Sequence, residues 1–82
     1  MISKSVMKTY IKLPNHIRIA VHNKLTELAE DPYTQHLDVK RLQGYQDIYR
    51  LRVSDWRVLY QLYENDTIKV IKIAHRKEVY KQ

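Results

Sequence analysis

The segment Y-R-L-R-V-S-D-W-R-V-L-Y, Tyr49 to Tyr60, alternates basic and apolar side chains on either side of a two-residue break. A strand has a side-chain period of two, so Arg50 and Arg52 share one face while Tyr49, Leu51 and Val53 share the other. Ser54-Asp55 reads as the two-residue loop of a hairpin, which sets Val53 opposite Trp56 and Arg52 opposite Arg57. Cross-strand partners point to the same side of a sheet, so Arg50, Arg52 and Arg57 are expected to cluster. Like charges placed directly opposite oppose stability, by roughly 0.2–1 kcal/mol on the scale of cross-strand pairs. A cluster that costs stability points to a function, and its natural ligand is a phosphate chain.

The pattern extends in both directions. Toward the C-terminus, strands are expected at about residues 48–53, 56–64 and 67–75, with Asn65-Asp66 as a second two-residue turn. That turn sets Glu64 opposite Thr67 and Arg57 opposite Ala74, so Arg76 and Lys72 emerge on the arginine side. The opposite face carries Leu51, Val53, Trp56, Val58, Tyr60, Leu62, Ile71 and Ile73 and is apolar enough to be buried. Toward the N-terminus, Ser3 or Ser5 caps a helix running to about Leu13, with Val6, Met7, Tyr10 and Ile11 on one side and Lys4, Lys8 and Lys12 solvated on the other. A second helix covers about residues 15–30 with the stripe Ile17, Val21, Leu25 and Leu28, widened by Ala20 and Ala29, and Asp31-Pro32 stops it. Residues 33–45 form a connection anchored by Leu37, Val39 and Leu42. Gly44, the only glycine, supplies a positive φ before the hairpin. The fold class is therefore α+β: two N-terminal helices packed on one face of a small antiparallel meander of at least three strands, with basic residues on the other.

Eighty-two residues make one small domain, residues 1–82, with a modest core that a tight partner would stabilise. The absence of cysteine excludes a disulfide framework and a thiolate metal site. No apolar leader or membrane-length segment is visible, and a cytoplasmic protein without membrane contact is expected. The net charge of +6 is uneven. Residues 1–39 carry five Lys/Arg and four Asp/Glu, whereas residues 40–82 carry ten and five. A basic excess on the sheet half favours a polyanionic partner, either nucleic acid or an acidic protein. His16, His22 and His36 lack metal-ligand spacing, and no phosphate loop, zinc-protease motif or paired-carboxylate arrangement is present.

Taken together, the two helices, Leu42-Gln43-Gly44, the R-x-R…W-R-x-x-Y block and the ending His75-Arg76-Lys77-Glu78-Val79-Tyr80 resemble the RelE/ParE superfamily of toxins, in particular its RelE-like branch. The resemblance spans nearly the whole chain. It implies a ribosome-dependent endoribonuclease that cuts mRNA in the ribosomal A site, uses no metal or small-molecule cofactor, and is silenced by a cognate antitoxin. It marks Arg50, Arg52, Arg57, Arg76 and Tyr80 as catalytic or RNA-contacting; with the residues near them, Arg52, Arg57, Arg76, Tyr80 and His75 are expected to be catalytic and Arg50, Lys72 and Lys77 to bind RNA. Two departures stand out. The family usually begins with a β-strand, yet only Met1 and Ile2 precede Ser3, so that strand is expected to be absent or very short. Some active relatives carry lysine where this chain has Arg50 and Arg52, and a guanidinium is a poor general base.

Metal-free RNA cleavage needs a base for the 2′-hydroxyl proton, cations for the charge on the phosphorane-like transition state, and an acid for the leaving 5′-oxygen. The arginines suit the second role, since a guanidinium grips phosphate oxygens in a fixed fork. Tyr80 or His75 would assist proton transfer, although strict parity points His75 toward the apolar face. Two other functions stay open: a ParE-like toxin that binds DNA gyrase and cuts nothing, and a basic RNA-binding module without catalysis. The arginine set and Tyr80 favour the nuclease.

Overall fold

The computed structural model describes residues 2–79, which form α1 (Lys4–Ile11), α2 (Asn15–Glu30), β1 (Val39–Arg41), β2 (Ile48–Val53), β3 (Trp56–Leu62), β4 (Ile68–His75) and α3 (Arg76–Val79). Ser3 caps α1, its Oγ accepting from the Val6 amide. The helix stops at Ile11, two residues before the expected end. Leu13 precedes a proline and is disfavoured in the helical region, so the chain tightens. The amides of Lys12 and Leu13 reach back three residues, to Thr9 O at 3.1 Å and Tyr10 O at 3.2 Å, and Leu13 is buried. The α1 stripe is narrower than its periodicity suggested: Val6 is buried and Tyr10 partly so, but Met7 and Ile11 are exposed. In α2 the stripe lies as read, with Ile17, Val21 and Leu28 buried and Leu25 and Ala20 packed against them, while Ala29 is exposed. Asp31 leaves the helix in an extended conformation ahead of Pro32.

The sheet is antiparallel throughout, in the order β1-β2-β3-β4. Its first hairpin has the expected register, Arg52 opposite Arg57 and Val53 opposite Trp56, with Ser54 at φ +56°. The second hairpin reaches its expected register by two offsets that cancel. Asn65-Asp66 is not a two-residue loop. The Tyr63 amide donates to Thr67 O at 2.8 Å, the Asp66 amide donates to Tyr63 O at 3.0 Å, and Asp66 sits at φ +60°. This is a three-residue loop ending in a left-handed residue, and it moves the pairing by one. A bulge between Leu59 and Tyr60 moves it back, so Arg57 still faces Ala74. The extra residue of the bulge is Ile71. It was expected in the core but is 39% exposed, and Ile68 and Val70 fill the core instead.

Residues 33–45 hold a strand that was not anticipated. In β1, Val39 faces Leu51, Lys40 faces Arg50 and Arg41 faces Tyr49. Gly44 follows at φ +82°, as expected. Ahead of α1, Ile2 makes a single parallel bridge with Val70. Tyr33 ties the connection to the far hairpin, its hydroxyl donating to Asp66 Oδ1 at 2.8 Å. Among the described residues no helix is long and apolar enough to cross a membrane.

The helices cover the apolar face, where Leu51, Val53, Val58, Tyr60, Val70 and Ile73 are buried. Tyr60 stacks on Tyr49, with ring centroids 5.5 Å apart and planes 16° off parallel. Burial, with a smaller contribution from Tyr49, pushes the Tyr60 phenol up to about 12. The folded state therefore favours the protonated phenol. This part of the stability is complete below pH about 10, the ordinary value, and is lost as pH rises from there toward 12. Denaturation midpoints measured from pH 9 to 12 should fall more steeply for the native chain than for Tyr60→Phe; equal slopes would contradict this.

Candidate functional site

Strand parity places Arg50 and Arg52 of β2, Arg57 of β3 and Lys40 of β1 on the side of the sheet away from the helices. The register joins them: Lys40 faces Arg50, and Arg52 faces Arg57. Of the basic residues singled out in the sequence, Arg50, Arg52 and Arg57 form one contiguous group, with Arg76 at its hairpin end.

The members of the group differ in what they offer a ligand. Arg52 is the most open of the three strand arginines, its side chain 49% exposed. Arg50 is only 13% exposed. Its Nε is buried and meets no acceptor among the described residues. Arg57 lies on the expected face but is 4% exposed. Its Nη1 donates to Ser54 O at 2.9 Å and to Trp56 O at 3.0 Å. A guanidinium with several donors serves the Ser54 carbonyl of the turn and the Trp56 carbonyl at the start of β3 at once. The expectation of an open three-arginine cluster is corrected to this extent: Arg57 is packed into the hairpin end.

Asp38 was not singled out in the sequence, and it links the group. Its Oδ1 lies 3.0 Å from Arg50 Nη2 and its Oδ2 lies 3.5 Å from Arg52 Nε. Its own carbonyl accepts the Arg52 amide at 2.9 Å, fixing it beside β2. Only the β1–β2 pairing could have revealed it, and a three-residue strand has too little periodicity to be read. The like charges therefore do not simply repel: Asp38 engages Arg50 and Arg52 while the turn carbonyls engage Arg57. Beside Arg50, a cleft of about 330 Å³ is lined by Lys40, Arg41, Leu42, Gln43 and Arg50.

At the other end Arg76 is 54% exposed, with its Nε 3.7 Å from Asp55 Oδ1. Its amide donates to Asp55 O at 2.8 Å, which latches the start of α3 to the first hairpin turn. His75 follows its parity and lies edge-on to Trp56, with centroids 5.4 Å apart and planes at 83°. Its Nδ1 accepts the Lys77 amide at 3.3 Å, a geometry that leaves any neutral-ring proton on Nε2. Lys72, opposite Leu59, lines a groove with Ser5, Thr9 and Glu78 at the β4 side. Lys77 is exposed on α3. Tyr80 lies outside the described residues. His16, His22 and His36 are exposed, as are Lys4, Lys8 and Lys12.

The geometry is one of guanidiniums of graded exposure around a half-exposed carboxylate, on an antiparallel ladder. Comparison with known proteins shows the family. A family model described as the ParE toxin of type II toxin–antitoxin system, parDE, matches residues 1–80. Toxin RelE3 of Methanocaldococcus jannaschii is 32% identical over 79 residues, covering 89% of each chain. The fold matches the toxin in the crystal structure of the RelB–RelE antitoxin–toxin complex from Methanococcus jannaschii with a TM-score of 0.84 and 28% identity, over 98% of this chain and 94% of that one. It matches the isolated E. coli RelE toxin with a TM-score of 0.76 and 27% identity, over 96% and 86%.

Proposed function

The chain belongs to the RelE/ParE superfamily of type II toxin–antitoxin toxins, and from that premise we propose that it is a RelE-like endoribonuclease that cuts mRNA, at the ribosomal A site and without a metal ion. The observation that carries this reading is the graded arginine face: half-exposed Arg52 between Arg50 and Arg57, with half-exposed Arg76 at its end. An in-line attack of a 2′-oxygen on the adjacent phosphorus concentrates negative charge on the non-bridging oxygens. Arg52 and Arg76 are open enough to meet that charge, and Arg50 and Arg57 brace them. Tyr80 or His75 serves proton transfer. For His75 this requires Nε2, since Nδ1 already accepts the Lys77 amide.

The partner that follows is a cognate antitoxin, as RelB accompanies the toxin in the Methanococcus jannaschii complex. The working location is the cytoplasm, where ribosomes translate. Primer extension on mRNA in a reconstituted translation reaction tests the proposal. Discrete cuts within codons are expected. Intact mRNA together with inhibited gyrase supercoiling would replace it with a ParE-like, gyrase-binding function. Intact mRNA with RNA binding alone would leave a non-catalytic module.

A further inference from the structure

Arg50 and Arg52 do not present free cations to solution. Asp38 places one carboxylate oxygen on Arg50 and the other on Arg52, 3.0 and 3.5 Å away. Two non-bridging oxygens of one phosphate would occupy the same two positions. We propose that Asp38 is a specificity-determining residue of the RNA site: its carboxylate holds the seat of a backbone phosphate between Arg50 and Arg52 and so discriminates against free RNA. The inference rests on the reading of this face as an RNA site, and it concerns which RNA the face admits.

Three features carry it. The Asp38 backbone is anchored by the Arg52 amide, so the carboxylate stays at high local concentration beside both guanidiniums. Its side chain is 50% exposed, so it can swing into solvent without unfolding the strand. Half-exposed ion pairs are weak, and displacing this carboxylate is a modest, payable cost rather than a block. The buried Arg50 Nε, which meets no acceptor among the described residues, shows that a single carboxylate does not satisfy this guanidinium. An RNA strand held in register by a larger body, such as a ribosome, meets the face at high effective concentration and displaces Asp38. A free strand must compete with it from dilute solution.

The test is binding of a fluorescent single-stranded RNA ten-mer to the full-length chain, without ribosomes, at several salt concentrations. Asp38→Asn keeps the size and the backbone contact but removes the charge. It should tighten binding by about three- to thirtyfold, the scale of releasing two half-exposed ion pairs. The gain should shrink as salt rises, because exposed charges are screened. Glu30→Gln changes net charge by the same amount on the far end of α2 and should leave affinity within about twofold. In an Arg50→Ala/Arg52→Ala background, Asp38→Asn should have no effect, since the competition is for those two side chains. Thermal melts of each variant establish that the chain is folded. Native-chain binding that Asp38→Asn leaves unchanged or weakens would overturn this proposal alone. An equal gain from Glu30→Gln would also overturn it, by showing a general charge effect. RNA bound by none of the chains would overturn the RNA reading of the face and this inference with it.

Discussion

Arg57→Ala should unfold far more readily than the native chain, before any question of catalysis arises. Arg57 is 4% exposed, and its Nη1 serves the carbonyls of Ser54 and Trp56 at the first hairpin turn. Truncation removes both hydrogen bonds and leaves the volume of a long side chain unfilled. Hydrogen bonds from a charged donor are worth about 1.5–3 kcal/mol, so the expected loss is about 2–3 kcal/mol. For a domain this small each kcal/mol moves the melting midpoint by roughly 4–8 °C, and a drop of about 10–20 °C should be seen by circular dichroism. Arg57→Lys should recover little of it, because one ammonium cannot reproduce the planar fork. A midpoint within about 2 °C of the native value, small against roughly 4–8 °C per kcal/mol, would show that the turn does not need this side chain. The consequence for function is direct. Loss of cleavage in Arg57→Ala at 37 °C would report a shortage of folded toxin, so that variant is informative only well below its own midpoint.

Arg57 also shows where sequence reading stops. Its register was legible, because a two-residue loop leaves only one pairing for Y-R-L-R-V-S-D-W-R-V-L-Y. Its burial was not, because it serves the carbonyls of Ser54 and Trp56 on either side of Asp55, and no side-chain pattern encodes that backbone geometry. Arg57 opposite Ala74 was likewise right although one step behind it was wrong. The unforeseen loop residue and the unforeseen bulge at Ile71 each shift the pairing by one, in opposite senses. Parity survives an even number of such offsets, which is why the arginine side was assigned correctly while Ile71, at the bulge itself, was placed in the core. β1 escaped because three residues cannot display a period of two, and Asp38 escaped with it. The helices were easier. A stripe twelve residues long, such as Ile17 to Leu28 in the sixteen-residue α2, repeats often enough to outweigh local exceptions.

The division between bracing and open arginines leads to the largest functional effect expected. Arg52→Ala and Arg76→Ala should each fold normally and each lose most cleavage. Their side chains are 49% and 54% exposed, and each is held by one half-exposed carboxylate. Removing an exposed side chain of this kind changes stability by about 0.5 kcal/mol or less. In the transition state the balance reverses. Charge accumulates on the phosphorane oxygens, and a preorganised donor aimed at it is worth a factor of about 10²–10³ in rate. Single-turnover cleavage of mRNA in stalled ribosome complexes should therefore fall by about that factor for either variant, with melting midpoints close to native. The pairing with Asp38 sharpens the expectation for Arg52. If the carboxylate must leave before phosphate enters, Asp38→Asn should restore none of the activity lost in Arg52→Ala, because the cation that the phosphate needs is gone. Arg52→Lys should recover part of it, since a point charge can still meet the phosphate while the fork cannot be rebuilt. Cleavage by Arg52→Ala at the native rate would remove the strand arginines from the chemistry and leave Arg76, with Tyr80 or His75, as the remaining centre.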